Sequence, residues 1–279
     1  MNNIAVLLTC HNRRDTTRTC LKRLFEIRAD IDVYCVDDGS TDGTAQMITS
    51  EFPQVELIEG DGNLFWSRGM RLAWVTARDK KEYDFYFWLN DDLELYANAF
   101  DELLECSRLV KGQAVITGLV EEKTSHKVIY GGSDAAKRMI AANGELNEVT
   151  FLNGNFVIVP RYVFDKIGFL DERFHHDLGD VDYGLTAKEH GMEVYTSRCY
   201  IGGTDVALRS KHMRIRLDNA NVFKRFKRLY SPLGSNPFIT FYFKRKHQGL
   251  MNALTFFVYV HIINLLPDAV WNKVSLLRY

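Results

Sequence analysis

Short apolar runs alternate with helix-like segments over the first part of the chain. The runs that we predict to be strands are Ile4–Thr9, Ile31–Val36, Val55–Ile58, Phe85–Leu89 and Ala114–Leu119. The segments that we predict to be helices are Thr16–Glu26, Gly43–Ser50, Ser67–Arg78 and Ala97–Val110. Such alternation is typical of βαβ units, so the pattern predicts an α/β fold with a mainly parallel central sheet flanked by helices.

The pattern is less regular over residues 126–149 and then resumes. Phe151–Val159 is predicted to be a strand stopped by Pro160, and Val181–His190 is predicted to be a helix. The sequence contains no internal repeat and no low-complexity stretch. A chain of 279 residues is long enough for one large α/β domain and a modest appendage.

The tail from about residue 210 is basic. Its basic residues are Lys211, Arg214, Arg216, Lys224, Arg225, Lys227, Arg228, Lys244, Arg245 and Lys246. The apolar segment Leu250–Leu266 follows, and polar residues interrupt it. We therefore expect a helical tail that docks on the anionic inner face of a membrane without spanning it. The alternative is a basic solvated face followed by a buried helix.

Composition narrows the class of protein. Hydrophobic residues make up 46% of the chain and charged residues 25%, which is ordinary for a globular protein. The net charge of −1 argues against a globally basic nucleic-acid binder. Five scattered cysteines without a CxxC pair favour reduced thiols over a disulfide framework or a zinc site. Because the first residues lack the basic region of a secretory signal, we expect a cytoplasmic protein.

Two polar motifs follow the first two predicted strands: Thr9–Arg13 (TCHNR) and Val36–Thr44 (VDDGSTDGT). Ligands of doubly wound sheets bind at the carboxyl ends of strands, so both motifs are placed to contact a nucleotide. Asp37 can accept a hydrogen bond from a base or a ribose. A polar turn before a helix is the alternative for the first motif and, for that motif alone, the more common explanation. Helix capping explains half of the second motif, but not its two adjacent carboxylates.

A third motif, Leu89-Asn90-Asp91-Asp92, brings two adjacent carboxylates directly after an apolar strand. Adjacent carboxylates repel each other unless a cation or water screens them, and a divalent metal that bridges a diphosphate would do so. The alternative is an aspartate that caps the next helix.

A fourth motif, Gly179–Gly184 (GDVDYG), places a carboxylate at the start of a predicted helix. Such a carboxylate is a candidate general base for removing a proton from a hydroxyl group. Helix capping is again the alternative.

The order of these motifs resembles that of the family two glycosyltransferases, which have the nucleotide-sugar-binding fold called GT-A. The motifs are TCHNR, VDDGSTDGT, GDGNLFWSRGMR, LNDD, NGNFVIVP and GDVDYGL. The resemblance covers residues 4–200 and implies a catalytic domain over residues 1–209. Its nucleotide-sugar-binding part would run to about residue 120 and its acceptor part over residues 121–209, with residues 210–279 as the tail.

The resemblance also implies roles for individual residues. The implied donor-binding residues are Thr9, Asn12, Arg13, Asp37, Asp38, Asn63, Arg68, Asn90 and Asp91. LNDD corresponds to the family's DXD metal motif, with Asn90 in place of the usual aspartate. Asp92 is then the implied direct ligand of Mn²⁺ or Mg²⁺, and Asp91 contacts the metal or the sugar. The residues implied to contact the acceptor or the donor sugar are Asn153, Gly154 and Asn155.

GDVDYGL is similar to the family's ED-containing motif, with Gly179 in place of the glutamate. Asp180 is the implied catalytic base, and Asp182 is the alternative base because the missing glutamate loosens the alignment. The base would deprotonate an acceptor hydroxyl while its oxygen attacks the anomeric carbon opposite the leaving diphosphate. One direct displacement inverts the configuration.

The implied function is transfer of a sugar from a UDP- or dTDP-sugar to a glycan or a polyprenyl-diphosphate-linked acceptor in bacterial surface polysaccharide synthesis. The motif GDGNLFWSRGMR, in its version with a tryptophan, resembles that of a bacterial polysaccharide subgroup that includes rhamnosyltransferases. One alternative is a non-catalytic nucleotide-sugar-binding or scaffold protein. Another alternative is a sugar nucleotidyltransferase, but the glycine-rich phosphate loop of that class is missing from this sequence. An NAD-dependent oxidoreductase is disfavoured because no GxGxxG motif follows any predicted strand. No nucleic-acid partner is expected.

Overall fold

The computed structural model describes residues 2–205 and 215–271. Lys211 and Arg214 of the basic tail lie outside the described residues. The chain divides into two units, residues 1–209 and residues 210–279. The functions predicted for these two parts, and the finer division near residue 120, stay predictions.

A nine-stranded sheet forms the centre of the first unit, with the strand order β3-β2-β1-β4-β10-β6-β11-β5 and β7 beside β6. Its strands are β1 (Ile4–Cys10), β2 (Asp32–Asp37), β3 (Val55–Glu59), β4 (Phe85–Leu89), β5 (Glu94–Leu95), β6 (Val115–Glu122), β7 (Val128–Tyr130), β10 (Phe156–Pro160) and β11 (Val194–Thr204). β8 (Gly132–Ser133) and β9 (Phe151–Leu152) form a separate two-stranded sheet. β3, β2, β1 and β4 are parallel, whereas β10 runs antiparallel between β4 and β6.

In the described part of the first unit, six helices cover the two faces of this sheet. They are α1 (Arg14–Ile27), α2 (Thr44–Glu51), α3 (Phe65–Lys80), α4 (Ala99–Leu109), α5 (Arg161–Ile167) and α6 (Gly179–Glu189). On β1, Val6 and Leu8 pack in one core with α1, α2 and α4, whereas Ala5 and Leu7 pack in the other with α3, α5 and α6. Side chains alternate between the faces of a strand, so a strand covered on both faces is apolar throughout. The predicted α/β fold class is confirmed.

The prediction of one continuous strand over residues 151–159 is wrong. The chain leaves the ladder at residues 153–155, because other groups bind the backbone there. Asn153 N–H donates to the carbonyl of Gly131 at 2.7 Å, and Gly154 N–H donates to the carboxylate of Asp180 at 2.9 Å. β11 is not predicted from the sequence, because its mixture of polar residues and glycines lacks a clear strand pattern, yet it pairs with β6 and β5.

The second unit contains the helices α7 (Val222–Leu229), α8 (Pro237–Gln248) and α9 (Leu250–Leu265). Asn221 caps α7, since its side chain accepts a hydrogen bond from Lys224 N at 2.9 Å. The predicted C-terminal helices are confirmed. Among the described residues, no helix is both long and apolar enough to cross a membrane.

Candidate active site

The carboxyl ends of β2, β1 and β4 lie side by side at one edge of the sheet. Cys10 at the end of β1 is opposite Asp37 at the end of β2, and Leu7 is opposite Trp88 of β4. The TCHNR, VDDGSTDGT and LNDD motifs are distant in the sequence, but the parallel pairing brings all three to this edge. Ligands of open α/β sheets bind at such an edge.

Arg13 connects the first motif to the acidic pair. Its guanidinium lies 2.9 Å from an oxygen of Asp91 and 3.1 Å from one of Asp92. Thr17 Oγ1 on α1 donates a hydrogen bond to the other oxygen of Asp91 at 2.9 Å. Burial raises the pKa of Asp91. The charge of Arg13 lowers this pKa and the charge of Asp92 raises it, and the result is a pKa of about 6.

The acidic pair has the chemistry of a site for a hard divalent cation. A positive group already lies between the two carboxylates, and Asp92 has a side-chain exposure of 30% against 3% for Asp91. Among the described residues, no cluster of three or more Asp, Glu, His or Cys side chains could hold a metal ion. A pair of this kind suits Mg²⁺ or Mn²⁺, which commonly take one or two carboxylates together with substrate phosphates and water.

Asp38 organises the loop that leads into α3. Its two carboxylate oxygens accept three backbone N–H groups, from Gly62 at 2.8 Å, Leu64 at 3.2 Å and Phe65 at 2.8 Å. The predicted donor contact of Asp38 would have to compete with these bonds. Its neighbour Asp37 accepts one backbone N–H at the turn after β2, at 3.1 Å.

Asn12 links the loops that follow β1 and β2. It has a positive φ of 51°, its side-chain oxygen accepts Thr41 N–H at 2.7 Å, and its own N–H donates to Ser40 Oγ at 2.8 Å. Thr9 lies under α3, where Gly69 leaves room for it: a Cβ at Gly69 would collide with the threonine side chain. Both residues therefore lie at the predicted edge.

Asn63 and Arg68 are placed on either side of the start of α3. Asn63 is exposed in the loop, where its N–H donates to Asp61 at 2.9 Å. Arg68 donates through Nε to the carbonyl of Glu172 at 2.9 Å, so it holds the segment that precedes α6. A contact from Arg68 to a diphosphate would require its guanidinium to exchange this partner.

Two protein side chains bind the amide of Asn90. Trp66 Nε1 donates to Asn90 Oδ1 at 2.7 Å, and Asn90 Nδ2 donates to Asn155 Oδ1 at 2.7 Å. An indole N–H can only donate, so Trp66 fixes the orientation of the amide. The backbone N–H of Asn90 also donates to the carbonyl of Asn155 at 2.8 Å. The LNDD motif is thus tied to the 153–155 loop.

Asp180 lies on the other side of the same loop. Its Oδ2 accepts Gly154 N–H at 2.9 Å, and its Oδ1 accepts the N–H of Val181 at 2.8 Å. Burial raises the pKa of Asp180 although both hydrogen bonds lower it, and the charge of Asp177 raises it further. Asp182, the alternative base, is only 3% exposed. Asp180 is partly exposed, so it is the better placed of the two to meet a substrate.

Trp66 joins the LNDD motif to the 153–155 loop, a role that was not predicted from the sequence. Its ring covers Gly154 so closely that a Cβ there would lie 2.5 Å from Cη2 and 2.6 Å from Cζ2. Ser67, the next residue, donates its N–H to the carbonyl of His175 at 2.8 Å. The only signal for these roles was their position inside GDGNLFWSRGMR, since the contacts join segments distant in sequence.

The sequence of the chain matches a known protein family. The model of glycosyl transferase family 2 matches residues 5–168. Over 183 residues the chain is 25% identical to N-acetylglucosaminyl-diphospho-decaprenol L-rhamnosyltransferase of Mycobacterium tuberculosis, in strains CDC 1551 / Oshkosh and ATCC 25618 / H37Rv. That match covers 55% of this chain and 60% of the relative, so the chain spans somewhat less than two thirds of the relative's length.

Two solved structures show the same fold at low sequence identity. Mannosyltransferase PcManGT from Pyrobaculum calidifontis, in complex with GDP-Man and Mn²⁺, matches with a TM-score of 0.57 and 16% identity, over 100% of this chain and 81% of that chain. GalNAc-T7 with UDP, GalNAc and Mn²⁺ matches with a TM-score of 0.59 and 12% identity, over 76% of this chain and 44% of that chain. The chain has the GT-A fold, and because the family model covers more than half of its length, it belongs to glycosyl transferase family 2.

Proposed function

We propose that this protein transfers one sugar from a nucleotide diphosphate donor to an acceptor hydroxyl with inversion at the anomeric carbon. The observation that carries the proposal is the position of Asp180, which Gly154 and Trp66 connect to the LNDD motif. A donor at the strand ends and a base on the other side of the 153–155 loop are the two parts that such a displacement needs.

Asp180 takes the proton of the acceptor hydroxyl in this proposal. The acceptor oxygen forms a bond to the anomeric carbon, the bond from that carbon to the diphosphate oxygen breaks, and the nucleoside diphosphate leaves. A raised pKa makes the Asp180 carboxylate a stronger base than an ordinary aspartate. The N–H groups of Gly154 and Val181 hold the carboxylate in place.

The donor would lie over the ends of β1, β2 and β4. We assign base and ribose contacts to Asp37 and Thr9, with Asn12 and Asn63 at the border of the site. We assign diphosphate contacts to Arg13 and Arg68, although each has a protein partner here. Asp38 then supports binding through the loop that it holds.

Asp92 is the proposed direct ligand of a divalent cation, Mn²⁺ or Mg²⁺, and Asp91 supports it from its buried position. The two similar structures contain Mn²⁺ together with UDP or GDP-Man. When bound, the cation would neutralise charge that develops on the leaving diphosphate. Arg13 forms ion pairs with both carboxylates.

The acceptor is proposed to be a glycan on a polyprenyl diphosphate, and the donor a UDP- or dTDP-sugar such as dTDP-rhamnose. The mycobacterial relative is by its name an L-rhamnosyltransferase that acts on N-acetylglucosaminyl-diphospho-decaprenol. Asn153 and Asn155, which flank Gly154, would contact the acceptor or the donor sugar. Because such an acceptor is a lipid, we propose that the protein works in bacterial surface polysaccharide synthesis at the cytoplasmic face of the membrane.

Asp180→Asn tests this proposal. The amide keeps the size of the side chain but cannot take the proton, so we expect transfer to fall at least about a hundredfold while thermal stabilisation by the donor is retained. A panel of nucleotide sugars with Mn²⁺ or Mg²⁺ should first identify the donor, because a selective ligand raises the melting temperature. Asp182→Asn is the matched control, and we expect its kcat per folded protein to stay near the wild-type value. Full activity of Asp180→Asn would refute the assignment of the base, and stabilisation by no nucleotide sugar would refute the function.

A further inference from the structure

The outer face of α9 is an exposed apolar stripe. Its members are Leu250, Met251, Leu254, Val258, Ile262 and Leu265, which are between 43% and 74% exposed. They recur at intervals of three and four residues, so they share one side of the helix. We call this set the α9 stripe. Of the fourteen exposed large hydrophobic residues described, eleven lie in residues 215–271, which is the smaller part of the chain.

The α9 stripe is not needed for packing within the second unit. The opposite side of α9 is buried through Ala253, Val260 and Ile263. Between these sides, Phe257 contacts Phe238 and Phe241 of α8, with ring centroids 5.8 Å and 6.0 Å apart. The helix therefore packs through one side and leaves the stripe available to another surface.

The helices of the second unit have exposed basic side chains. The sequences of α7, α8 and α9 contain no Asp or Glu. Lys224 and Lys227 of α7 and Arg245 and Lys246 of α8 are exposed. α8 ends at Gln248, two residues before the stripe begins, so its basic end adjoins the stripe along the chain.

Two other arginines of this unit serve a different purpose. Arg216 and Arg225 are buried, and both bind the carboxylate of Asp268, at 2.5 Å and 2.6 Å. They hold the chain after α9 and do not contribute to the exposed charge. The exposed basic residues therefore lie along α7 and in the last turn of α8.

We propose that the α9 stripe and the exposed basic residues of α7 and α8 form one surface that docks on an anionic lipid bilayer. The stripe would enter the boundary between headgroups and acyl chains, and the basic side chains would meet the lipid phosphates. Charge selects lipid over a second copy of this chain, because two copies joined through the stripe would bring basic surfaces together. This inference rests on the proposed location at a membrane and identifies the surface responsible.

Vesicle cosedimentation of the full chain tests the surface. Wild-type protein should bind vesicles of phosphatidylcholine and phosphatidylglycerol more strongly than vesicles of phosphatidylcholine alone, and added salt should weaken the difference. The triple variant Leu254→Gln, Val258→Gln, Ile262→Gln keeps good helix formers on an exposed face, and it should bind roughly ten- to a hundredfold more weakly. Leu109→Gln, at a 46% exposed position of α4, is the matched control and should bind like wild type.

A second variant tests the charge without touching the stripe. Lys227→Gln and Arg245→Gln together should weaken binding to anionic vesicles by about fivefold for each residue, with no effect on neutral vesicles. If wild-type protein binds no vesicle, the proposed location is wrong. If wild type binds and both variants bind equally well, the location stands and the assignment of the surface is refuted. If wild type binds no vesicle but self-associates in sedimentation, and the stripe variant does not self-associate, the partner is a second copy of this chain and the proposal is overturned.

Discussion

Gly154→Ala perturbs the contact that joins the two sides of the site. The added Cβ would lie 2.5 Å and 2.6 Å from two ring atoms of Trp66 and 3.1 Å from Cβ of Asp180. Cβ atoms in proteins essentially never approach other atoms within 3.0 Å, so the ring or the 153–155 loop must move. Gly154 does not have a positive φ, so the whole effect is steric.

The cost follows from the crowding and from the bond that the ring makes. Adding a methyl group to a packed site costs about 1–3 kcal/mol. If the ring shifts, its hydrogen bond to Asn90 weakens, which costs a further ~0.5–1.5 kcal/mol. A displacement of about 1 Å at the Gly154 N–H would also misplace Asp180, and misplacement of that size can lower the rate about a hundredfold. We expect kcat to fall more than the affinity for the donor.

A double-mutant cycle with Trp66→Phe gives the test. Phenylalanine lacks the outer ring atoms that collide with the new methyl group, so it relieves the crowding, although it loses the bond to Asn90. Denaturant unfolding should show that the double variant is less destabilised than the sum of the two single variants, by about 1 kcal/mol or more, and kcat should recover relative to Gly154→Ala. Strict additivity in stability, together with an unchanged kcat in Gly154→Ala, would refute the close contact and the positioning of the base.

Three further outcomes are expected. Asp38→Asn should lower the free energy of unfolding by about 1–3 kcal/mol, since an NH2 group replaces one of the two oxygens that accept three backbone N–H groups. Asp37→Asn should mainly weaken donor binding in calorimetry, and equal stabilities of the two variants would contradict this division. Arg198→Met should destabilise the protein by about 1–3 kcal/mol at pH 7, because Arg198 bonds both oxygens of Glu102 at 3.1 Å and 2.8 Å. Burial raises the pKa of Glu102, but its hydrogen bonds from Arg198 and Cys106 together lower it by more. The stabilisation is therefore present above the usual glutamate pKa and is lost as pH falls through the lowered value. A difference in unfolding free energy between wild type and Arg198→Met that stays constant down to pH 3 would contradict this reasoning. Treatment with EDTA should abolish transfer, and added Mn²⁺ or Mg²⁺ should restore it; turnover that persists in EDTA would remove the metal from the proposal.

The sequence by itself determined the order of most elements. The N-terminal strands are apolar throughout because helices cover both of their faces, and this pattern predicted Phe85–Leu89 with the observed bounds. The polar motifs at strand ends were also visible, because a parallel sheet places the carboxyl ends of its strands at one edge. These local and periodic signals were enough to predict the α/β class and the edge at which the candidate site lies.

Tertiary structure decided which side chains at that edge bind other protein groups and which face outward. Asp37 and Asp38 look alike in sequence, but only Asp38 holds three backbone N–H groups, since the loop before α3 folds over it. Trp66 and Gly154 are 88 positions apart, and a contact between them depends on how α3 meets the loop before β10. Hydrophobic periodicity reports which face of an element is buried, whereas the partners of polar groups depend on segments that meet only when the chain has folded.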